Sequence, residues 1–531
     1  MANQDTCEWR RITRPRGAVS LRYVVSIGQS SRWGGESTQM KTLTLLIGSA
    51  VLFAGCTTSN SAEEDRTAAT DAQALGETDI VEAEEADDFV PETPSGVPFL
   101  QLSLEGKIDE FLAAPNSVFG ENIAGDMGLS GDRRWAPWLL DLMRLGGSTG
   151  TQRSTARALQ TLSGLEAKNH PIDDLVMYGT WARTEEINPG AGYRRWKETL
   201  FATVDDVYEE LLADVDDELQ LAGIMWGGVR RGGIPELNDP LRLEADEATF
   251  MTDEELVLGA VVDGIAVAYP LRFLARHELA NDTIGSVPVS VVFCTLCRTG
   301  WVFDRRVDGR VLDFETSGLL LDSNKLMVDR QTDSLWHHLT GQAISGPLKG
   351  TTLEVMPMTT IRWSDWVAEH PDSDVLDTPT PIYFADNPER PPIAYDYTPG
   401  SAYSSYYEGN RLWFPTFETQ GPFEEMEVVV TVTRPGGSVA FGLDELSDRP
   451  PFAFVIGSET LVIVPHSSGA RMFVLTEGSL EHLQQVDIVD GGSLSREVQL
   501  ADGSVATRIV SGRSFWFAWS GIHPETATWP T

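Results

Sequence analysis

The chain is poor in the residues that do most chemistry. It has 4 cysteines and 8 histidines in 531 residues. Four cysteines exclude a disulfide-stapled scaffold. Basic residues are also short, 40 against 79 acidic, for a formal net charge of −39. A chain so acidic repels nucleic acid and anionic membrane surfaces, so no nucleic-acid partner is expected. No P-loop, dinucleotide fingerprint or H-E-x-x-H occurs. Hydrophobic residues still make up 41%. That is enough for a large core, and the length suits several domains.

The N-terminus reads as an export leader. Met40 and Lys41 precede an apolar run, Thr42 to Ala54, too short to span a bilayer comfortably. Small residues then lead into Cys56. This pattern looks like a bacterial lipoprotein signal, with Cys56 as the lipidated mature N-terminus. Phe53 stands where such signals usually carry Leu. Translation is expected to start at Met40, and 1–55 to be leader. Residues 56–96 read as a disordered tether, because 57–95 hold twelve acidic residues against Arg66 alone. The expected location is the cell envelope, membrane-attached through Cys56 and facing the periplasm or exterior.

The expected fold class is α+β: a helical module over 97–235, then two degenerate copies of a mainly β unit over 236–376 and 426–531. Loops at 377–425 connect the copies. Amphipathic spacing marks helices around Trp135–Leu145, Thr155–Leu162 and Tyr193–Leu221. The module is read as a packing or partner-binding element. Val257–Val262 and Ile265–Tyr269 flank Asp263-Gly264, a hairpin pattern. Pro288–Phe293, Trp301–Arg305 and Val311–Phe314 read as further strands.

The duplication rests on internal matches. Val267-Ala-Tyr-Pro-Leu-Arg-Phe-Leu274 matches Val439-Ala-Phe-Gly-Leu-Asp-Glu-Leu446 at offset 172. Trp363-Ser-Asp-Trp-Val-Ala-Glu-His-Pro371 matches Trp516-Phe-Ala-Trp-Ser-Gly-Ile-His-Pro524 at offset 153. His370 and His523 recur in both, which argues for packing. At offset 172, Cys294 falls on His466, Cys297 on Gly469, His277 on Arg449, Glu278 on Pro450 and Asp282 on Phe454. The second copy keeps the apolar frame and lacks the reactive groups.

Chemistry therefore concentrates in the first copy. Cys294-Thr-Leu-Cys297 lies between two predicted strands, on a turn that points both sulfurs one way. Three readings stay open: a metal site, a redox dithiol and a structural disulfide. His277 is the expected third metal ligand, and copper(I) or zinc the expected metal. If His277-Glu-Leu-Ala-Asn-Asp282 is helical, His277 and Asn281 share a face, as do Glu278 and Asp282; either acid would orient His277. Glu278, Asp282, Asp329 and Arg330 are the candidate catalytic residues, with an Asp329–Arg330 ion pair as the structural alternative. Polar residues beside Gly318 and Trp336 suggest a pocket wall. His337 and His338 are adjacent, so on a strand they face opposite sides.

Ile234-Pro-Glu-Leu-Asn-Asp-Pro240, Val257-Leu-Gly, Ala268-Tyr-Pro-Leu, His277–Asp282, the C-x-x-C turn, Ser317-Gly-Leu-Leu and Asp329–Trp336 together resemble a prokaryotic family, domain of unknown function 3179. The resemblance spans roughly 234–530. Where the family usually reads Cys-Pro-Leu-Cys-Gly, this chain reads Cys294-Thr-Leu-Cys297-Arg298. The resemblance implies that His277, Cys294, Cys297 and the Asp329 segment belong to the family's motif set, and it brings no activity. The leading expectation is an exported lipid-anchored protein that binds a soft metal, with redox or metal-dependent catalysis compatible with the site. The alternatives are a thiol-disulfide oxidoreductase or redox sensor, and a non-enzymatic envelope scaffold with a structural disulfide.

Overall fold

A computed structural model describes residues 96–115, 117–379, 394–490 and 496–530. The leader, Cys56 and nearly all of the tether lie outside them. Among the described residues no helix is long and apolar enough to cross a membrane.

Helices fill the chain from Leu104 to Gly223. Local chemistry sets their ends. Ser148 accepts a hydrogen bond from Thr151 N to start the Thr149–Ser163 helix, which Gly164 closes at φ +78°. His170 and Pro171 start the Pro171–Thr184 helix. The pattern read as one long helix from Tyr193 splits into Tyr193–Ala202, Val207–Ala213 and Glu218–Gly223. The helices bury Leu139, Leu159, Tyr178, Tyr193 and Trp196 completely. Each such side chain contributes about 1.5–3 kcal/mol. Lys197 is buried among them and bonds Asp141 at 2.8 Å and Tyr193 at 3.1 Å.

Helix ends at Gly223, short of the expected 235. Ile224–Trp226 is already a strand, paired with Phe314–Leu321. That sheet continues through Asn324–Asp329, Leu335–His337 and Gln342–Ser345. Leu319, Leu321, Leu326, Val328 and Leu335 join the helical core, so the helices pack on this sheet. Arg183 bonds Asp322 across the junction at 2.6 and 3.0 Å, and Tyr208 donates to the Ser317 carbonyl at 3.0 Å.

The remaining chain is rich in small sheets in a propeller-like arrangement. Two regions share strand order, sense and register. Leu256–Val262 pairs antiparallel with Ile265–Pro270 and with Met358–Arg362, and Ile265–Pro270 pairs parallel with Asp374–Leu376. Val428–Arg434 pairs antiparallel with Gly437–Gly442 and with Gly512–Phe515, and Gly437–Gly442 pairs parallel with Ala527–Trp529. The partners correspond residue by residue. Val257 faces Pro270 as Val429 faces Gly442, at offset 172. Arg362 faces Leu256 as Phe515 faces Val428, and Asp374 faces Val267 as Ala527 faces Val439.

The Trp/His-Pro motif closes each region in the same way. Trp366 Nε1 donates to Ser373 Oγ and Trp519 Nε1 to Thr526 Oγ1, both at 2.9 Å. His370 packs tilted against Trp366, ring centres 4.5 Å apart, and His523 against Trp519 at 4.4 Å. Gly259 makes room for the first of these rings: a Cβ there would lie 2.1 Å from Trp366.

Candidate functional site

The C-x-x-C turn joins two strands, Val287–Cys294 and Thr299–Asp304, as its apolar flanks predict. The last ladder pair is Cys294 with Thr299. In the second region the equivalent pair is His466 with Gly469. Thr299, not Cys297, therefore takes the place of Gly469. The fixed offset fails here because the first turn is longer by two residues. That extension carries Cys297 and lets Arg298 adopt φ +56°. Cys297 N donates to Cys294 Sγ at 3.2 Å, and the two cysteines stand at disulfide distance, Cα–Cα 5.3 Å. Both are buried.

His338 faces them. Ligand atoms of Cys294, Cys297 and His338 all lie within 4.8 Å of one another. His338 follows the Leu335–His337 strand, so it escapes the alternation that opposes adjacent residues. Its Nδ1 lies 3.0 Å from the Lys325 carbonyl, a bond that makes Nδ1 the protonated nitrogen. Nε2 is then a bare acceptor, buried with no hydrogen-bond partner among the described residues. Burial holds the ring well below its usual pKa, with His337 and Lys325 adding charge repulsion, so the ring is neutral at pH 7. A neutral imidazole anchored through Nδ1 to a carbonyl is ready to give Nε2 to a metal.

His277, the expected third ligand, is outside this group. It ends the Leu271–His277 helix, with Nδ1 2.7 Å from the Pro235 carbonyl and Nε2 2.6 Å from Tyr397 Oη. Burial pulls it down to about 4. The helix expected across 277–282 stops there: Glu278 takes φ +62° and Leu279–Ile284 is a strand. Glu278 and Asp282 thus share no helix face, and neither is bonded to His277. Asp282 accepts from Tyr269 Oη at 2.7 Å and pairs with Arg242 at 2.5 Å.

Asp329 and Arg330 do not pair with each other. Asp329 is fully buried and accepts from Thr332 N and Oγ1, Ser334 N and Trp336 Nε1, which makes it the hub of a turn. Arg330 bridges Glu315 and Glu236 at 2.8 and 2.5 Å.

Glu278 does reach a cavity, one of about 470 Å³. It accepts from Lys325 Nζ at 2.7 Å and Thr316 Oγ1 at 3.2 Å. Lys325 is buried, and desolvation lowers its pKa against the raising effect of Glu278. Cys294, Glu278, Lys325, Thr316 and Gly318 line one wall. Gly318 belongs to the expected wall, whereas Trp336 lies elsewhere. Gly318 has φ +78°, and a Cβ there would lie 2.1 Å from the Val229 carbonyl and 2.5 Å from Tyr208 Oη. No side chain fits that bulge.

Lys325 and His338 are the functional candidates missed from sequence. Lys325 had a cue, since a lone lysine inside the apolar strand Asn324–Asp329 demands a buried counter-charge. His338 had only its neighbour.

No curated protein and no solved structure matches this chain. A family profile matches residues 231–526, covering the whole cysteine–histidine group and more than half of the sequence. The chain belongs to the family described as Protein of unknown function (DUF3179).

Proposed function

We propose that Cys294, Cys297 and His338 bind one soft metal ion, copper(I) or zinc. The observation that carries this is the His338 Nε2 acceptor, buried without a hydrogen-bond partner among the described residues and within 4.8 Å of both sulfurs. Leaving such a group empty costs about 1–3 kcal/mol, and a metal bond removes that cost. Two thiolates and one imidazole favour soft or borderline metals. The thiolate form is required, so the reduced pair is the binding state. Three protein ligands suit three-coordinate copper(I), or zinc with an open position.

The test uses the full-length protein, reduced under anaerobic conditions and offered copper(I) or zinc. Native mass spectrometry should find one ion per chain. Cys294→Ser, Cys297→Ser and His338→Ala should lose it, and His277→Ala should keep it. Retention of a stoichiometric ion by Cys294→Ser sinks the proposal.

A second reading is favoured by Cys294 lining the cavity at disulfide distance from Cys297. The pair would then cycle between dithiol and disulfide, giving up two electrons and two protons to an oxidised partner thiol pair. A reduction potential well above that of structural disulfides would support it.

Two wider parts of the proposal rest on other grounds. The matched registers at offsets 172 and 153 support descent of the two sheet regions from one duplicated unit. The leader sequence supports export and attachment to the membrane through Cys56, in the cell envelope. The helical region is the proposed surface for a protein partner.

A further inference from the structure

The cavity beside Cys294 lies where the helical region, the Phe314–Leu321 strand and residues 395–414 meet. Its volume falls in the range of small-molecule sites, about 300–1,000 Å³. Gly228 and Ser405 are exposed at its rim, so solvent reaches it. The walls are largely apolar: Ile172, Leu175, Trp226, Trp413 and Phe414 contribute.

The charges in the wall do not cancel. In a chain of net charge −39, the described lining residues hold Arg144, Arg276 and Lys325 against Glu278. Lys325 is neutralised by Glu278 at 2.7 Å. Arg276 donates to the Asp396 carbonyl at 3.2 Å and to Ser401 Oγ at 3.2 Å, and its charge also acts on the Asp396 carboxylate. Arg144 has no such offset. Its Nε donates to the Trp226 carbonyl at 2.9 Å. Its guanidinium is held between Trp226 and Phe414, 5.0 and 5.3 Å from their rings. Neither terminal nitrogen bonds a carboxylate among the described residues. Burial lowers it to about 10, still charged at pH 7, with no acidic group among the described residues acting on it.

We infer that this cavity binds a small organic monoanion, an apolar aryl or alkyl body bearing one carboxylate, with the carboxylate on Arg144. A planar guanidinium presents two parallel donors to a carboxylate. Its contacts with the Trp226 and Phe414 rings and the Trp226 carbonyl fix the fork and leave the terminal nitrogens for the ligand. One unbalanced positive charge calls for one negative charge. The walls of Trp226, Trp413 and Phe414 suit a flat apolar body. This goes beyond the metal proposal and does not depend on it, because Arg144 belongs to the helical region and Cys297 does not line the cavity.

The experiment is calorimetry on the full-length protein with three probes of one shape: 2-naphthoate, the neutral 2-naphthamide and the dianionic 2-naphthyl phosphate. Naphthoate is expected to bind at least tenfold tighter than the amide and tighter than the phosphate. Arg144→Gln should abolish the preference for acid over amide. Cys297→Ser should bind naphthoate as the parent does, so loss of the metal site leaves this result standing. If Arg144→Gln does not fold, the acid–amide comparison on the parent protein decides. No naphthoate binding at millimolar concentration, equal binding of acid and amide, tighter binding of the phosphate, or an unchanged preference in folded Arg144→Gln would each overturn the inference.

Discussion

The two sheet regions build the same frame, and two of their differences bear on the site. Each has a hairpin flanked by an antiparallel and a parallel strand, closed by a tryptophan with a histidine packed against it. The first difference is the turn, longer by two residues between Cys294 and Thr299 than between His466 and Gly469. The second is the segment before the strand that pairs at the far edge. Glu354 pairs with Asp304 as Thr507 pairs with Val474. Between these strands the first region inserts Phe314–Leu321, Asn324–Asp329, Leu335–His337 and Gln342–Ser345. Among the described residues the second has only Ile488–Asp490 and Glu497–Leu500 there. The longer turn supplies Cys297. These strands supply Thr316, Gly318 and Lys325, and His338 follows directly on one of them. The candidate chemistry thus sits where the longer turn and the extra strands depart from the shared frame, and such connections tolerate change best.

The comparison breaks first, and most severely, at the cysteines. Cys294→Ser or Cys297→Ser should reduce metal content from about one ion per chain to none by elemental analysis. His466→Ala, at the matching ladder position, should leave it unchanged. Next comes the histidine. His338→Ala should weaken the metal by more than about 100-fold in a chelator competition, since even changes to groups supporting a ligand cost 10–100-fold. His277→Ala should leave metal affinity at the parent value.

Lys325→Met removes one partner of a buried ion pair and leaves Glu278 uncompensated. Its expected cost is about 3–5 kcal/mol in denaturant unfolding. Adding Glu278→Gln should recover part of that loss, because the stranded charge goes with it.

His277 gives the acid test. Its folded pKa, about 4, lies below the free value of 6.5. Below pH 6.5 the unfolded chain takes up a proton that the folded chain refuses. Its contribution to stability is therefore intact above pH 6.5 and falls as the pH drops toward 4, by about 3 kcal/mol at most. His337, His370 and His466 are also held low and fall in the same window, so His277→Gln should make that part of the stability curve shallower by this one share. Arg449→Gln, at the equivalent position of the second region, should not. The smallest effects sharpen the likeness. His370→Ala and His523→Ala each lose one ring packed against a tryptophan, worth about 0.5–1.5 kcal/mol. The two losses should match within experimental error, and a large inequality would count against equivalent roles.

Much of the frame was legible because it is local. The Asp263-Gly264 turn, the apolar run Val257–Val262 and the apolar flanks of the C-x-x-C turn act over neighbouring residues. The two internal matches align the ladders because pairing register follows the hydrophobic pattern. What misled was the stretch His277–Asp282. Its four-residue spacing suits a helix, but the left-handed Glu278 ends the helix and the next residues pair with Val287–Cys294. Sheet pairing overrode local spacing there.

The amino-acid sequence by itself determined the acidic character, the helical and sheet regions, the paired frames and the two cysteines on one turn. Those follow from composition and from interactions a few residues long. Tertiary structure decided that His338 rather than His277 faces the sulfurs, that Lys325 meets Glu278, and that Arg144 enters a cavity walled by three distant segments. These meetings span long stretches of chain. Their partners are chosen by which sheet faces bury together, and no short-range pattern encodes that choice.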